Sequence, residues 1–279
     1  MTVVVREPPT ALTAFIRSMT YEAGDGTAAG MERVLPGAGM SLWVNLNVDE
    51  FRLGGGNDRQ AVRRLPGAML EGPRDRAALV EVEGGRAHIC VTFALGVAPP
   101  LFGVPPGAVR NDWVSLEDLW GRDGASVRQR LLEVMTPEDK LHALELILLA
   151  RLQDATRPDP AILHSLAALE RGVPVSAVAS ELGLLPRTFR RRFLGQVGLT
   201  PKRFARVRRL QRVVRAIEGL PVVDWIGVAA EHGYCDQAHL IDEFKDLVGL
   251  TPTAYRRDWA ARNDVRLPTT SPPDGQCRA

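Results

Sequence analysis

The side chains whose type and spacing point most directly to chemistry are cations. Between Glu181 and Glu218 the chain carries 11 Lys or Arg and no acid: Arg187, Arg190, Arg191, Arg192, Lys202, Arg203, Arg206, Arg208, Arg209, Arg212 and Arg215. A helical run without acids at i+4 repels itself, and a polyanion relieves that repulsion. The formal net charge of the 279 residues is only +2, which hides the split. Residues 1–160 hold 17 Lys+Arg against 21 Asp+Glu, whereas residues 161–262 hold 16 against 10. Nucleic acid is therefore expected to meet the second region alone.

Other chemistries find little support. No Gly-x-Ser-x-Gly, phosphate-loop or dinucleotide fingerprint is present, and an enzyme is not expected. Cys90, Cys235 and Cys277 are odd in number and far apart, which excludes a disulfide framework and a four-cysteine zinc site. A reducing, cytoplasmic setting fits. The valines of MTVVVREPPT are too few for a signal-peptide core. Ile89 to Val109 is free of charge, but Pro99, Pro100, Pro105 and Pro106 with three glycines make it a strand and a loop, not a membrane span. In the β-rich stretch His88 stands alone, so neither metal nor cofactor is expected.

The cations lie within an internal repeat. Val197-Gly-Leu-Thr-Pro201 recurs as Val248-Gly-Leu-Thr-Pro252. Val178-Ala179-Ser180-Glu181-Leu182-Gly183 matches Val228-Ala229-Ala230-Glu231-His232-Gly233 at an offset of 50, and Phe189, Phe193 and Phe204 match Leu240, Phe244 and Tyr255 at an offset of 51. One residue is thus inserted between Gly233 and Leu240. Each unit reads helix, glycine turn, helix, with Ala179 and Ala229 at a close crossing and Gly183 and Gly233 at a positive φ. Phe204, Val207, Leu210, Val214 and Ile217 form one stripe of a helix joining the units.

Residues 160–260 resemble the DNA-binding domain of the AraC/XylS transcriptional regulators, through Gly233-Tyr-Cys-Asp-Gln-Ala-His-Leu240, Phe244-Lys245, Gly249-Leu-Thr-Pro252 and Tyr255-Arg256. Residues 33–152, with Arg33-Val-Leu-Pro36, Gly72-Pro-Arg74 and Ser115-Leu-Glu-Asp-Leu-Trp120, resemble more weakly the cupin-like N-terminal domain of one AraC-type branch. The resemblance implies a multidomain α and β protein. Residues 1–152 would be a β-rich cupin-like domain with a helical segment, for effector sensing or dimerisation. A linker over 153–160 leads to an all-α domain over 161–262 with two helix-turn-helix units, and 263–279 is expected to be disordered. It implies sequence-specific binding of double-stranded DNA, a small-molecule effector or a homodimer, and RNA polymerase as partner if the outcome is activation. Two alternatives stay open: a DNA-repair alkyl-acceptor joined to the same DNA-binding domain, and an architectural DNA binder without effector.

With Phe189 and Phe193 inward, Arg187, Arg190 and Arg191 face the major groove, where arginine reads guanine O6 and N7, while Arg192 lies off that face toward phosphate. With Leu240 and Phe244 inward, the second unit presents Gln237, Ala238, Ile241 and Asp242. Gln237 suits adenine, His239 suits either phosphate or a partly buried packing role, and Lys245 is expected at the DNA. Asp242 and Glu243 are expected to repel phosphate unless Asp242 accepts from cytosine N4 or pairs with a nearby Arg. In the N-terminal region Trp43, Asn45 and Asn47 alternate with Leu42, Val44 and Leu46, a polar face that suits either an effector pocket or solvent. The Leu141, Leu144, Leu148 and Leu152 face is expected to pack on the β-rich domain or on a second copy.

Overall fold

The structure, a computed structural model, describes residues 2–24, 30–55, 58–82, 86–152 and 158–262. The expected tail 263–279 and residues 153–157 of the expected linker lie outside them. The N-terminal region is β-rich and antiparallel, and the C-terminal region is helical. Strands β1 (Thr2–Arg6), β2 (Ile16–Gly24), β4 (Ser41–Asn45), β7 (Ala68–Glu71), β9 (Arg86–Phe93) and β10 (Trp113–Ser115) form one sheet in the order β1-β2-β9-β4-β7-β10. Strands β3 (Gly30–Val34), β5 (Phe51–Gly55), β6 (Asp58–Leu65) and β8 (Ala78–Val82) form a second, ordered β3-β8-β5-β6.

Alternation along the strands divides the larger sheet into two faces. Met19, Leu42, Val44, Leu70, Ile89 and Val91 share the apolar face. Two short helices, α1 (Pro99–Phe102) and α2 (Leu116–Trp120), precede α3 (Arg122–Leu132) and α4 (Pro137–Ala150). The apolar face joins Val127 and Leu131 of α3 and Leu141, Leu144 and Leu148 of α4 in one core. The leucine face of α4 therefore packs on the sheet of its own chain. Thr136 caps α4 by accepting from Asp139 N, with Pro137 in the first position. The opposite face carries Thr20, Ser41, Trp43, Glu71, His88, Cys90, Thr92 and Trp113, cross-strand neighbours by register. It looks toward the smaller sheet, where Leu53, Ala78 and Val80 cluster with Trp43, Met69 and Trp113.

The helical region runs α5 (Pro160–Glu170), α6 (Val175–Glu181), α7 (Pro186–Val197), α8 (Pro201–Ile217), α9 (Trp225–Glu231), α10 (Gln237–Val248) and α11 (Pro252–Arg262). The repeated Gly-Leu-Thr-Pro has a local cause. Gly198 and Gly249 end α7 and α10 at φ +79° and +78°, a conformation that favours glycine. Two residues on, Thr200 Oγ1 accepts from Arg203 N at 3.3 Å and Thr251 Oγ1 from Ala254 N at 3.1 Å, capping the next helices, with Pro201 and Pro252 in their first positions.

The two regions touch along the segment after β3. Leu35, 2% exposed, belongs to the same core as Leu210, Val213 and Leu247, and Ala38 to that of Phe189, Phe193 and Phe204. Gln211 Nε2 donates to Pro36 O at 2.9 Å, and Arg33 Nη1 to Val248 O at 2.9 Å.

Candidate nucleic-acid interface

Each helix-turn-helix unit is held from behind by aromatic packing. Phe189 and Phe193 lie at 5.7 Å, and Phe193 meets Phe204 of α8 at 5.4 Å, both edge to face. In the second unit Phe244 meets Tyr255 at 5.5 Å. The turns carry Gly183 and Gly233 at φ +62° and +74°. The inserted residue sits in the second turn: α7 begins three residues after Gly183, α10 four after Gly233. Asp236 fills the longer turn, accepting from His239 N at 2.7 Å and capping α10.

Seven of the 11 cations are already engaged. Arg192 holds Asp159, the N-cap of α5, with its Nε at 2.8 Å. Arg203 pairs with Asp75. Arg206 donates to Glu243 at 2.8 Å and Asp246 at 2.6 Å, and Arg209 to Glu243 at 2.7 Å. Arg208 pairs with Glu170 at 2.8 Å, Arg212 donates to Glu170 O at 2.6 Å, and Arg215 to Gln211 O at 3.3 Å. The sequence places no acid among these cations, but the fold brings acids from elsewhere to five of them, so part of the expected self-repulsion is relieved internally. Arg187, Arg190, Arg191 and Lys202 remain, exposed and without ion-pair or hydrogen-bond partners among the described residues. Three of these four stand on α7.

Two of these pairings bear on the expectations. Arg192, expected toward phosphate, pairs with Asp159 and so anchors α5 on α7. Glu243 does not face the duplex as a repelling charge, because it is 6% exposed and bridges α8 to α10 through Arg206 and Arg209. Burial alone would raise its pKa, but the hydrogen bonds from Arg209 and Arg206, with their charges, hold the carboxyl below its ordinary range. The Arg209 guanidinium also lies 4.2 Å from the centroid of Tyr234.

On α10, Ala238, Asp242 and Lys245 are exposed and Gln237 and Ile241 half-buried. Gln237, Ile241 and Lys245 are spaced four apart on one face. His239 packs against Tyr234 at 5.2 Å, and its Nδ1 accepts from Cys235 N at 3.3 Å, a structural use of the ring. Between the units a cleft of about 890 Å³ runs along α8, lined by Arg171, Lys202, Arg212 and His239 among others.

The three residues expected at an effector site separate. Trp43 faces the smaller sheet and donates from Nε1 to Glu71 at 3.1 Å. Asn45 is spent on the turn after β4, donating to Glu50 O at 3.0 Å and accepting from Asn47 N at 3.0 Å and Val48 N at 3.3 Å. Asn47 is exposed in that turn. Asn45 and Asn47 thus shape a turn. Two residues that alternation did not single out, Glu71 and Arg74, are buried at 7% and 4% exposure beside Trp43 and Trp113. Among the described residues no group of three His, Cys, Asp or Glu is placed to hold a metal, and no helix is long and apolar enough to cross a membrane.

Residues 178–258 match the family described as helix-turn-helix domain. No curated protein matches the chain. Among solved structures, ToxT from Vibrio cholerae is 10% identical, with 87% of this chain and 96% of that one covered and a TM-score of 0.45. The C-terminal domain of AraT, a response regulator from Geobacillus stearothermophilus, is 16% identical, with 44% and 98% covered and a TM-score of 0.35. The AraC-like transcriptional activator CuxR is 15% identical, with 77% and 87% covered and a TM-score of 0.27.

Proposed function

We propose that this protein is a transcriptional regulator of the AraC type that reads duplex DNA mainly through α7, on the premise that residues 178–258 match a helix-turn-helix domain. The observation that carries the reading is the unpaired trio Arg187, Arg190 and Arg191, exposed on the second helix of the first unit while neighbouring cations are bound to acids. Exposed guanidinium groups on a helix that enters the major groove bond guanine O6 and N7, each such pair adding ~1–3 kcal/mol of discrimination. α10 supports a weaker contact: Gln237 to adenine, Ala238 and Ile241 to thymine methyls, Lys245 to phosphate. Lys202, at the cleft between the units, adds a phosphate contact. The helix α8 holds the units together, so the protein spans two successive major-groove segments, about 34 Å apart.

In this reading residues 1–152 sense an effector or pair two copies, and 161–262 bind DNA. The polar face that looks toward the smaller sheet supports the effector role. The alkyl-acceptor alternative gains no support from Cys90. Cys90 lies buried on β9, and burial pushes its thiol far up, away from the thiolate that such chemistry needs.

The test is selection of duplexes from a random pool by the full chain, followed by titration of the winner at several salt concentrations. A consensus spanning two groove segments is expected, with a log–log slope of about −0.9 per phosphate contacted. No consensus, or a flat salt dependence, would end the proposal.

A further inference from the structure

Between the two sheets one charge is incompletely paired. Arg74 is 4% exposed, and among the described residues its Nε and Nη1 have no hydrogen-bond partner. These two nitrogens carry three of the five guanidinium N–H donors. The guanidinium lies 3.9 Å from the centroid of the Trp113 ring. Glu71 is buried nearby and attracts it, but the hydrogen bond of Glu71 goes to Trp43. Burial disfavours both charges, raising the pKa of Glu71 and lowering that of Arg74. Thr20, Ser41 and Thr92 are buried on the same face. An interior built only for packing gains nothing from a guanidinium with unmet donors, since burying a charge without full pairing costs free energy.

The neighbours of Arg74 reach the other way, into the helix-turn-helix units. Pro73 packs on the end of α7: a Cβ on Gly198 would stand 2.7 Å from Pro73 Cγ. Asp75 pairs with Arg203 of α8 and is steadied by Asn111 Nδ2 at 2.7 Å. Ala77 N donates to Leu247 O, in the last turn of α10, at 2.7 Å. Arg74 N itself donates to Gly37 O at 2.6 Å, beside Pro36, whose carbonyl receives Gln211 of α8. One short turn therefore joins the inter-sheet space to both recognition helices and to the helix between them.

We propose that Arg74 anchors a small organic carboxylate between the two sheets, and that this occupancy sets the grip of the 73–77 turn on the helix-turn-helix units. The proposal rests on the effector reading given above. A carboxylate accepts from the unpaired donors, and Trp113, Leu53 and Val80 supply apolar contact for its body. Without it, the guanidinium gains by turning out to water, and Pro73 and Asp75 move with it. With it, Arg74 stays inside and the contacts to Gly198, Arg203 and Leu247 persist. The docked arrangement leaves Arg187, Arg190, Arg191, Ala238 and Asp242 exposed. Carboxylate binding therefore favours the form that binds DNA.

The test uses the full chain with benzoate and hexanoate as probes, each against its uncharged amide. Thermal unfolding should shift upward with at least one carboxylate and not with its amide, and Arg74→Met should abolish the shift. Affinity for the selected duplex should rise by about fivefold or more with the same carboxylate, a typical size for coupling between sites. Asp75→Asn should keep the thermal shift and lose the DNA response. No shift with either acid, equal shifts with acid and amide, or a full shift in Arg74→Met overturns the anchor. A full DNA response in Asp75→Asn overturns the relay. If Arg74→Met does not fold, the acid–amide comparison still decides the anchor and Asp75→Asn the relay. A chain that selects no duplex sinks the regulator reading, while the melting measurements still report on Arg74.

Discussion

Glu243→Gln separates two views of the second unit, because they predict opposite signs. By charge alone, removing an anion from the DNA-binding region tightens binding to phosphate. In the structure the carboxylate is a strut: it accepts from Arg206 Nε at 2.8 Å and from Arg209 Nε and Nη2 at 3.0 and 2.7 Å. Removing one partner of a buried ion pair costs about 3–5 kcal/mol. The two guanidinium groups keep 29% and 22% exposure, so the low end applies, about 3 kcal/mol. That corresponds to roughly a hundredfold in the folding constant at 1.4 kcal/mol per decade. Urea unfolding of the full chain at neutral pH measures it, with duplex affinity measured alongside, and both are expected to fall. The pH dependence supplies a second check. The Glu243 pKa is lowered by folding, so its contribution is present above the ordinary glutamate pKa and fades as pH falls through the folded value. The gap between wild type and variant should therefore narrow in acid. A variant as stable as wild type, or one that binds DNA more tightly, would refute the strut.

On the selected duplex, Arg191→Ala should cost about 1–3 kcal/mol and relax preference at one base position, read by competition with single-base variants. Arg192→Ala, whose partner is Asp159, should change DNA affinity little and lower stability by no more than about 1 kcal/mol; a larger affinity loss than Arg191→Ala would reverse their roles. Asp242→Ala should be mild on the selected site and tighten binding to scrambled duplex, because an exposed anion near the phosphates is lost. Leu35→Ala should cost about 2–5 kcal/mol in urea unfolding although it lies far from α10 in sequence, since its side chain completes the core of the second unit; an effect under 1 kcal/mol would show that core closing without it.

The sequence alone determined what depends on short-range rules. Gly198, Thr200 and Pro201, with their counterparts Gly249, Thr251 and Pro252, specify a left-handed helix end, a cap and a first helical position within four residues of one another. The two helix-turn-helix units were legible for that reason, as was the alternation of Leu42 and Val44 against Trp43 and Asn45. The inward face of α7 was legible too, because Phe189 and Phe193 lie four apart on one helix, and with it the outward Arg187, Arg190 and Arg191. Which cations are free was not legible. Arg209 and Glu243 are 34 residues apart, and Arg203 and Asp75 are 128 apart, so a charge run that looks unopposed along the chain is partly neutralised by acids that arrive from elsewhere in the fold. The same holds for Leu35 and Arg74. One fills the core of a unit more than 170 residues downstream, and the other is buried against Trp113 of β10, 39 residues downstream. Backbone conformation follows from a residue and its near neighbours. Burial and pairing follow from which faces meet, and only the tertiary structure decides that.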